Sequence, residues 1–151
     1  MARIAFDDVE LGVSRRFGSY EVPREEVIEF ARKWDPQPWH LDDEAAAKTL
    51  FGRISASFVH VFAIMGRLTM DQPDSLDVVA GLGFEEMNMT TPAYPGDVLH
   101  LVTEHVDKRV SRSKPDRGIV TTRFTLCNQN DDVVLSGLGK AMVARQGTVE
   151  S

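Results

Sequence analysis

The chain has 151 residues, enough for one domain with a substantial buried core. An apolar fraction of 42% and a charged fraction of 26% are ordinary for a globular protein, and the longest apolar stretch, 58–65, falls well short of the roughly 18 residues that a membrane span needs. The net charge of −6 argues against general binding to nucleic acid or to anionic membranes.

The opening residues, Met1 to Asp7, lack the long apolar region of a secretory signal, so a cytoplasmic location is expected. A short strand is predicted over 15–21. A helix follows over 23–34, where Pro23 suits a first helical position and Glu25 and Glu26 suit the positive end of the helix dipole. Val27, Ile28, Phe30, Ala31 and Trp34 give that helix an apolar face. Asp35 precedes Pro36, which disfavours helical geometry, so the helix should end there. A short Ala-rich helix over 43–49 can be capped by Asp42 or Asp43.

The stretch 57–70 is apolar on nearly all sides, which places it in the middle of the fold, with Ser57 as its cap and Gly66 marking a close helix–sheet approach. After Pro73 the pattern becomes strand. Segments 78–89, 98–110, 118–128 and 133–145 are rich in β-branched residues. Residues 128–132 read as a hairpin turn, and 90–97, with two prolines and a glycine, as a longer connection. The tail 146–151 is expected to fray. Helices followed by a run of strands argue for an α+β protein. The whole chain, 1–151, reads as one domain.

The chemistry concentrates in Asp35-Pro36-Gln37-Pro38-Trp39-His40. A carboxylate and an imidazole lie five residues apart in a loop stiffened by two prolines. A stiff loop can aim both at one water, which suits adding or removing water across a double bond. A turn opener with a structural histidine is the competing reading. Cys127, the only cysteine, lies in an alternating run and reads as a small buried hydrophobe in a reducing compartment. With no second cysteine and no histidine cluster at ligand spacing, no zinc site is expected. Residues 108–117 are basic in an acidic chain. They read either as a solvated hairpin or as an anion site formed by Arg109, Arg112, Lys114 and Arg117.

Four landmarks, in order, carry a family resemblance. Phe30-Ala31 is followed by Asp35 to Asp42 and then by the acidic, Ala-rich 43–47. Phe51-Gly52 leads to Ala56-Ser57-Phe58-Val59-His60 at the head of the apolar helix. Pro95-Gly96-Asp97 precedes a long strand, and a Ser- and Pro-containing turn spans 111–118. In these the chain resembles the MaoC-like dehydratase family, which includes (R)-specific enoyl-CoA hydratases. It departs at Phe58, where the family usually has Gly.

The resemblance implies a hotdog fold, a long curved antiparallel sheet around a central apolar helix. It implies reversible hydration of a 2-enoyl-CoA to a 3-hydroxyacyl-CoA, with Asp35 and His40 as the acid–base pair and no cofactor. Backbone N–H groups near Ser57 and Phe58, at the helix start, would receive the thioester oxygen. Phe58 would limit the pocket, and the basic segment 108–117 would take the phosphates of the acyl-CoA. His60 is expected to pack or to support other residues, His100 and His105 to have no catalytic role, and Trp34 and Trp39 to anchor the loop. An exposed sheet edge and the resemblance together point to a homodimer or a dimer of dimers. A thioesterase and a non-catalytic acyl-CoA-binding subunit are the other two readings.

Overall fold

The computed structural model describes residues 2–146. In chain order they form β1 (Ala2–Ile4), a 3-10 turn (Phe6–Asp8), β2 (Ser14–Glu21), α1 (Arg24–Trp34), a second 3-10 turn (Pro38–His40), α2 (Asp43–Ala47), α3 (Phe58–Thr69), β3 (Asp74–Leu76), β4 (Val78–Met89), β5 (Val98–Val110), β6 (Arg117–Cys127) and β7 (Val133–Ala144). Of the tail expected to fray, Gln146 is described, its N–H 3.3 Å from Asp7 Oδ2; residues 147–151 lie outside the described range. No helix among the described residues is long and apolar enough to cross a membrane.

Five strands form one antiparallel sheet in the order β2-β5-β6-β7-β4. The two central pairings, β5 with β6 and β6 with β7, are hairpins between consecutive strands, as the turn signals predict. β2 closes one edge and β4 the other. A separate parallel pair, β1 with β3, was not legible, because three residues are too few to show a period.

Helix α3 lies on the concave face of the sheet. Its buried stripe, Val61, Ile64, Met65 and Leu68, repeats at three- and four-residue spacing and joins a core with Leu99, Leu101, Leu126, Val134 and Leu135. Each such fully buried side chain contributes about 1.5–3 kcal/mol. Val27 and Ala31 of α1 are also completely buried, and Val27 belongs to the same core. A curved antiparallel sheet around an apolar helix is the hotdog arrangement.

Two expectations about α3 are corrected. The helix is not enclosed on all sides: Phe58, Val59 and Met70 are 41%, 50% and 62% exposed. Five strands wrap only one side of a helix. Gly66 marks no close approach, since a Cβ there would meet nothing within 4 Å. Gly118 is where a close approach does occur. A Cβ on it would collide with the Phe6 ring, which seals a second small core with Val9, Val120 and Val143.

Candidate active site

Asp35 sits at the end of α1, its N–H donating to Ala31 O at 2.8 Å. Pro36 stops the helix, and Asp35 leaves helical geometry at φ −154°, ψ 70°. Gln37 Nε2 donates to Asp35 Oδ1 at 2.7 Å. The turn Pro38–His40 then carries His40 back towards Asp35, closed by His40 N–H donating to Gln37 O at 3.0 Å. Trp39 packs partly buried against the main core and lies edge-on to the His40 ring. Trp34 does not anchor the loop: it is 62% exposed, with Lys33 Nζ over its ring.

His40 is buried, and its Nδ1 lies 2.6 Å from Ser55 O. A carbonyl only accepts, so Nδ1 carries the hydrogen. In the neutral imidazole, Nε2 is then a bare acceptor. It faces Asp35 Oδ2 at 3.6 Å, too far for a direct hydrogen bond. Two acceptors side by side at this separation suit the two hydrogens of one water molecule.

The segment that holds His40 also leads into α3. Ala56 N–H donates to Ala93 O at 2.8 Å, which straps the segment down. Ser57 is fully buried and caps α3, its Oγ accepting from His60 N–H at 3.1 Å. Its hydroxyl is therefore engaged in capping. The first N–H groups of a helix, here those of Phe58 and Val59, have no acceptor a turn earlier. Ser55, whose carbonyl holds His40, lies two residues before Ser57 and three before Phe58 in the chain.

The basic segment is not brought there within one chain. The linker before β5 meets the loops near the pair, through Ala93 and through Val22 N–H to Asp97 O. Arg109, Arg112, Lys114 and Arg117 lie at the other end of that strand, on the order of 30 Å away at ~3.3 Å per residue. Arg117 is engaged by Asp116 at 2.8 and 3.1 Å. Asp97, of the Pro-Gly-Asp landmark, is architectural. It is buried, with Oδ2 accepting from Tyr94 N–H and Oδ1 from Gln129 Nε2.

A cleft of about 660 Å³ runs between α3 and the sheet, lined in part by Phe62, Met65, Thr69, Phe84, His105 and Phe124. Asp35, His40 and Phe58 do not line it. It opens one turn down α3, ~6 Å along the axis from the helix start. Nothing in the sequence indicated it, because its walls come from α3 and six different strands. His105 Nδ1 lies 2.8 Å from Thr122 Oγ1, and burial, with Arg15 nearby, holds its pKa below the ordinary value. Burial likewise pushes the Cys127 thiol up, away from reactive thiolate.

One cluster beside α3 was also missed. The Glu26 carboxylate accepts from Tyr20 OH, at 2.7 and 2.6 Å from its two oxygens, and faces His60 Nε2 at 3.3 Å. The Phe30 ring stacks on His60 at 4.6 Å. Burial, with help from Glu26, pushes the Tyr20 phenol up to about 12, and burial pushes His60 down.

The model of the MaoC-like domain matches residues 8–126. The chain belongs to the MaoC-like dehydratase family. A Bacillus subtilis (strain 168) protein, the uncharacterized YdeM, is 30% identical over 140 residues, covering 92% of this chain and 98% of that one. A MaoC-like dehydratase structure from Rhodospirillum rubrum is 34% identical, with a TM-score of 0.85 over 95% of this chain and 98% of its own. The (R)-hydratase from A. caviae involved in PHA biosynthesis is 25% identical, with a TM-score of 0.67 over 91% and 97%.

Proposed function

We propose that this MaoC-like chain reversibly hydrates a 2-enoyl thioester, most simply a CoA ester, to the 3-hydroxyacyl thioester. The observation that carries this reading is the Asp35–His40 pair. Two acceptors lie 3.6 Å apart, and the imidazole tautomer is fixed by a 2.6 Å bond to Ser55 O. The kinship to hydratases and dehydratases adds support.

In the hydration direction the pair holds one water. Asp35 Oδ2 takes one of its protons as the water oxygen bonds to the β-carbon. The electron pair of the double bond passes to the thioester oxygen, which the Phe58 and Val59 N–H groups and the α3 dipole stabilise. A proton then returns from the pair to the α-carbon. The net change is addition of H2O, and the site ends as it began. The apolar cleft along α3 houses the acyl chain, so Phe62 and Met65 lie nearer its path than Phe58 does.

A second copy of the chain is the expected partner. β4 is an unpaired sheet edge that exposes Val78, Val79, Leu82 and Phe84, each by 43–48%. Pairing two such edges would remove both from water. A sedimentation mass of at least twice the chain is expected at micromolar concentration, and a monomer contradicts it.

Crotonyl-CoA tests the activity. Loss of enoyl absorbance without thiol release is the expected result. Thiol release would make the protein a thioesterase, and binding without turnover would make it an acyl-CoA-binding subunit.

A further inference from the structure

His60 raises a question of residue choice. Its side chain is 4% exposed, its ring is stacked on Phe30, and its Nδ1 is buried with no hydrogen-bond partner. Leaving a buried polar atom unpaired costs free energy, and a Phe or Leu would fill the same space without that cost. Packing alone therefore does not explain a histidine. What a histidine adds is the other nitrogen, Nε2, which faces Glu26 Oε2 at 3.3 Å. A carboxylate accepts, so Nε2 carries the hydrogen and donates, leaving Nδ1 as a bare lone pair.

The elements joined here are those that form the proposed site. Glu26 and Phe30 belong to α1, which ends at Asp35. His60 belongs to the first turn of α3, three residues after Ser57, and its own N–H closes the Ser57 cap. Tyr20 of β2 steadies Glu26 from the sheet by donating to its carboxylate. The contact is remote from the chemistry: Glu26 lies nine residues before Asp35, ~13 Å along the helix axis.

We infer that His60, through its bond to Glu26, is a positioning residue that fixes the start of α3 against α1, and so sets the N–H groups of Phe58 and Val59 against Asp35 and His40. This rests on the hydratase reading above. Near-attack geometry is steep in distance, and a displacement of about 1 Å can cost ~100-fold in rate. The cluster does no proton transfer with substrate.

The test separates the bond from the stack. His60→Phe keeps a ring against Phe30 and loses the donor. His60→Gln keeps an N–H donor and loses the ring. Steady-state kinetics on crotonyl-CoA are expected to show kcat reduced about tenfold or more in His60→Phe, with KM within about twofold. His60→Gln keeps most of kcat, and the pH profile of kcat keeps its shape in both. Glu26→Ala removes the same bond from a partly exposed position and is expected to match His60→Phe, which also serves should His60→Phe fail to fold. A purely structural role would lower melting temperature and leave kcat per folded molecule unchanged. That result, or equal kcat in His60→Phe and His60→Gln, overturns the inference while the hydratase reading stands. A wild type that leaves the enoyl absorbance unchanged overturns both.

Discussion

His40 and His60 invite comparison, since both are buried histidines whose Nε2 faces a carboxylate. At His40 the separation is 3.6 Å, and the strong bond is on the other nitrogen, to Ser55 O at 2.6 Å. At His60 the separation is 3.3 Å, and the other nitrogen has nothing. The carboxylates differ too. Asp35 keeps Oδ2 free of the Gln37 contact, whereas both Glu26 oxygens lie within hydrogen-bonding distance of Tyr20 OH. One pair is held from behind and left open in front. The other is spent on holding two helices. A histidine–carboxylate distance alone therefore does not mark a catalytic pair; what the remaining lone pairs are doing decides it.

Turnover should separate the two pairs by the widest margin. Asp35→Asn and His40→Ala are each expected to lower kcat at least ~100-fold, within the usual range for a general acid–base group. Their thermal melts should stay close to wild type, because neither residue carries much of the apolar core. Near-normal turnover in either variant would remove the distinction between the two pairs.

A pH series sharpens it further. Burial first, against the opposing pull of Glu26, holds the His60 pKa below its ordinary value. The unfolded chain then binds a proton that the folded chain does not, so stability should fall as pH drops below about 6.5. His100 and His105 are depressed for the same leading reason and act in the same window. Urea unfolding between pH 7 and 5 should show the slope, reduced in His60→Gln. Asp7 and Asp116, held low by hydrogen bonds from Arg145 and Arg117, act only at more acid pH, below about 3.8.

The smallest effect concerns the Tyr20 phenol. Burial is the largest cause of its rise to about 12, followed by the hydrogen bond to Glu26 and then the Glu26 charge. Glu26→Gln should bring it part of the way back towards 10, read by ultraviolet titration. An unmoved phenol would mean that the Tyr20–Glu26 contact is weaker in solution than its 2.6 Å distance implies.

Much of this molecule was legible because local chemistry dictated it. Asp42 and Ser57 cap α2 and α3 as their positions promise, Pro36 ends α1, β5 spans the residues that its β-branched composition marks, and β4 covers 78–89 as expected. The closeness of Asp35 and His40 could be read because five residues and two prolines leave the loop few other shapes. The His60 cluster could not. Its members Tyr20, Glu26 and His60 are polar residues of three different elements, and only the packing of those elements makes them neighbours. Trp34 misled because it belongs to the apolar spacing of α1 yet, as the last residue of that helix, is left 62% exposed. The basic hairpin was visible as charge but not as location, which depends on how far β5 carries it.

The strap from Ala56 to Ala93 bears on the order of events during folding. Helices α1 and α3 can form from neighbouring residues, but the segment between α2 and α3 is fixed only once the linker before β5 has come back to it. Contacts of that sequence separation close late, after the loop entropy has been met. A chain with its helices formed and its sheet incomplete would have Asp35 near His40 but no fixed Ser55 carbonyl to set the imidazole. The orientation of the His40 imidazole thus depends on a contact between segments distant in the chain, and partly folded molecules lacking that strap would hold the ring less firmly.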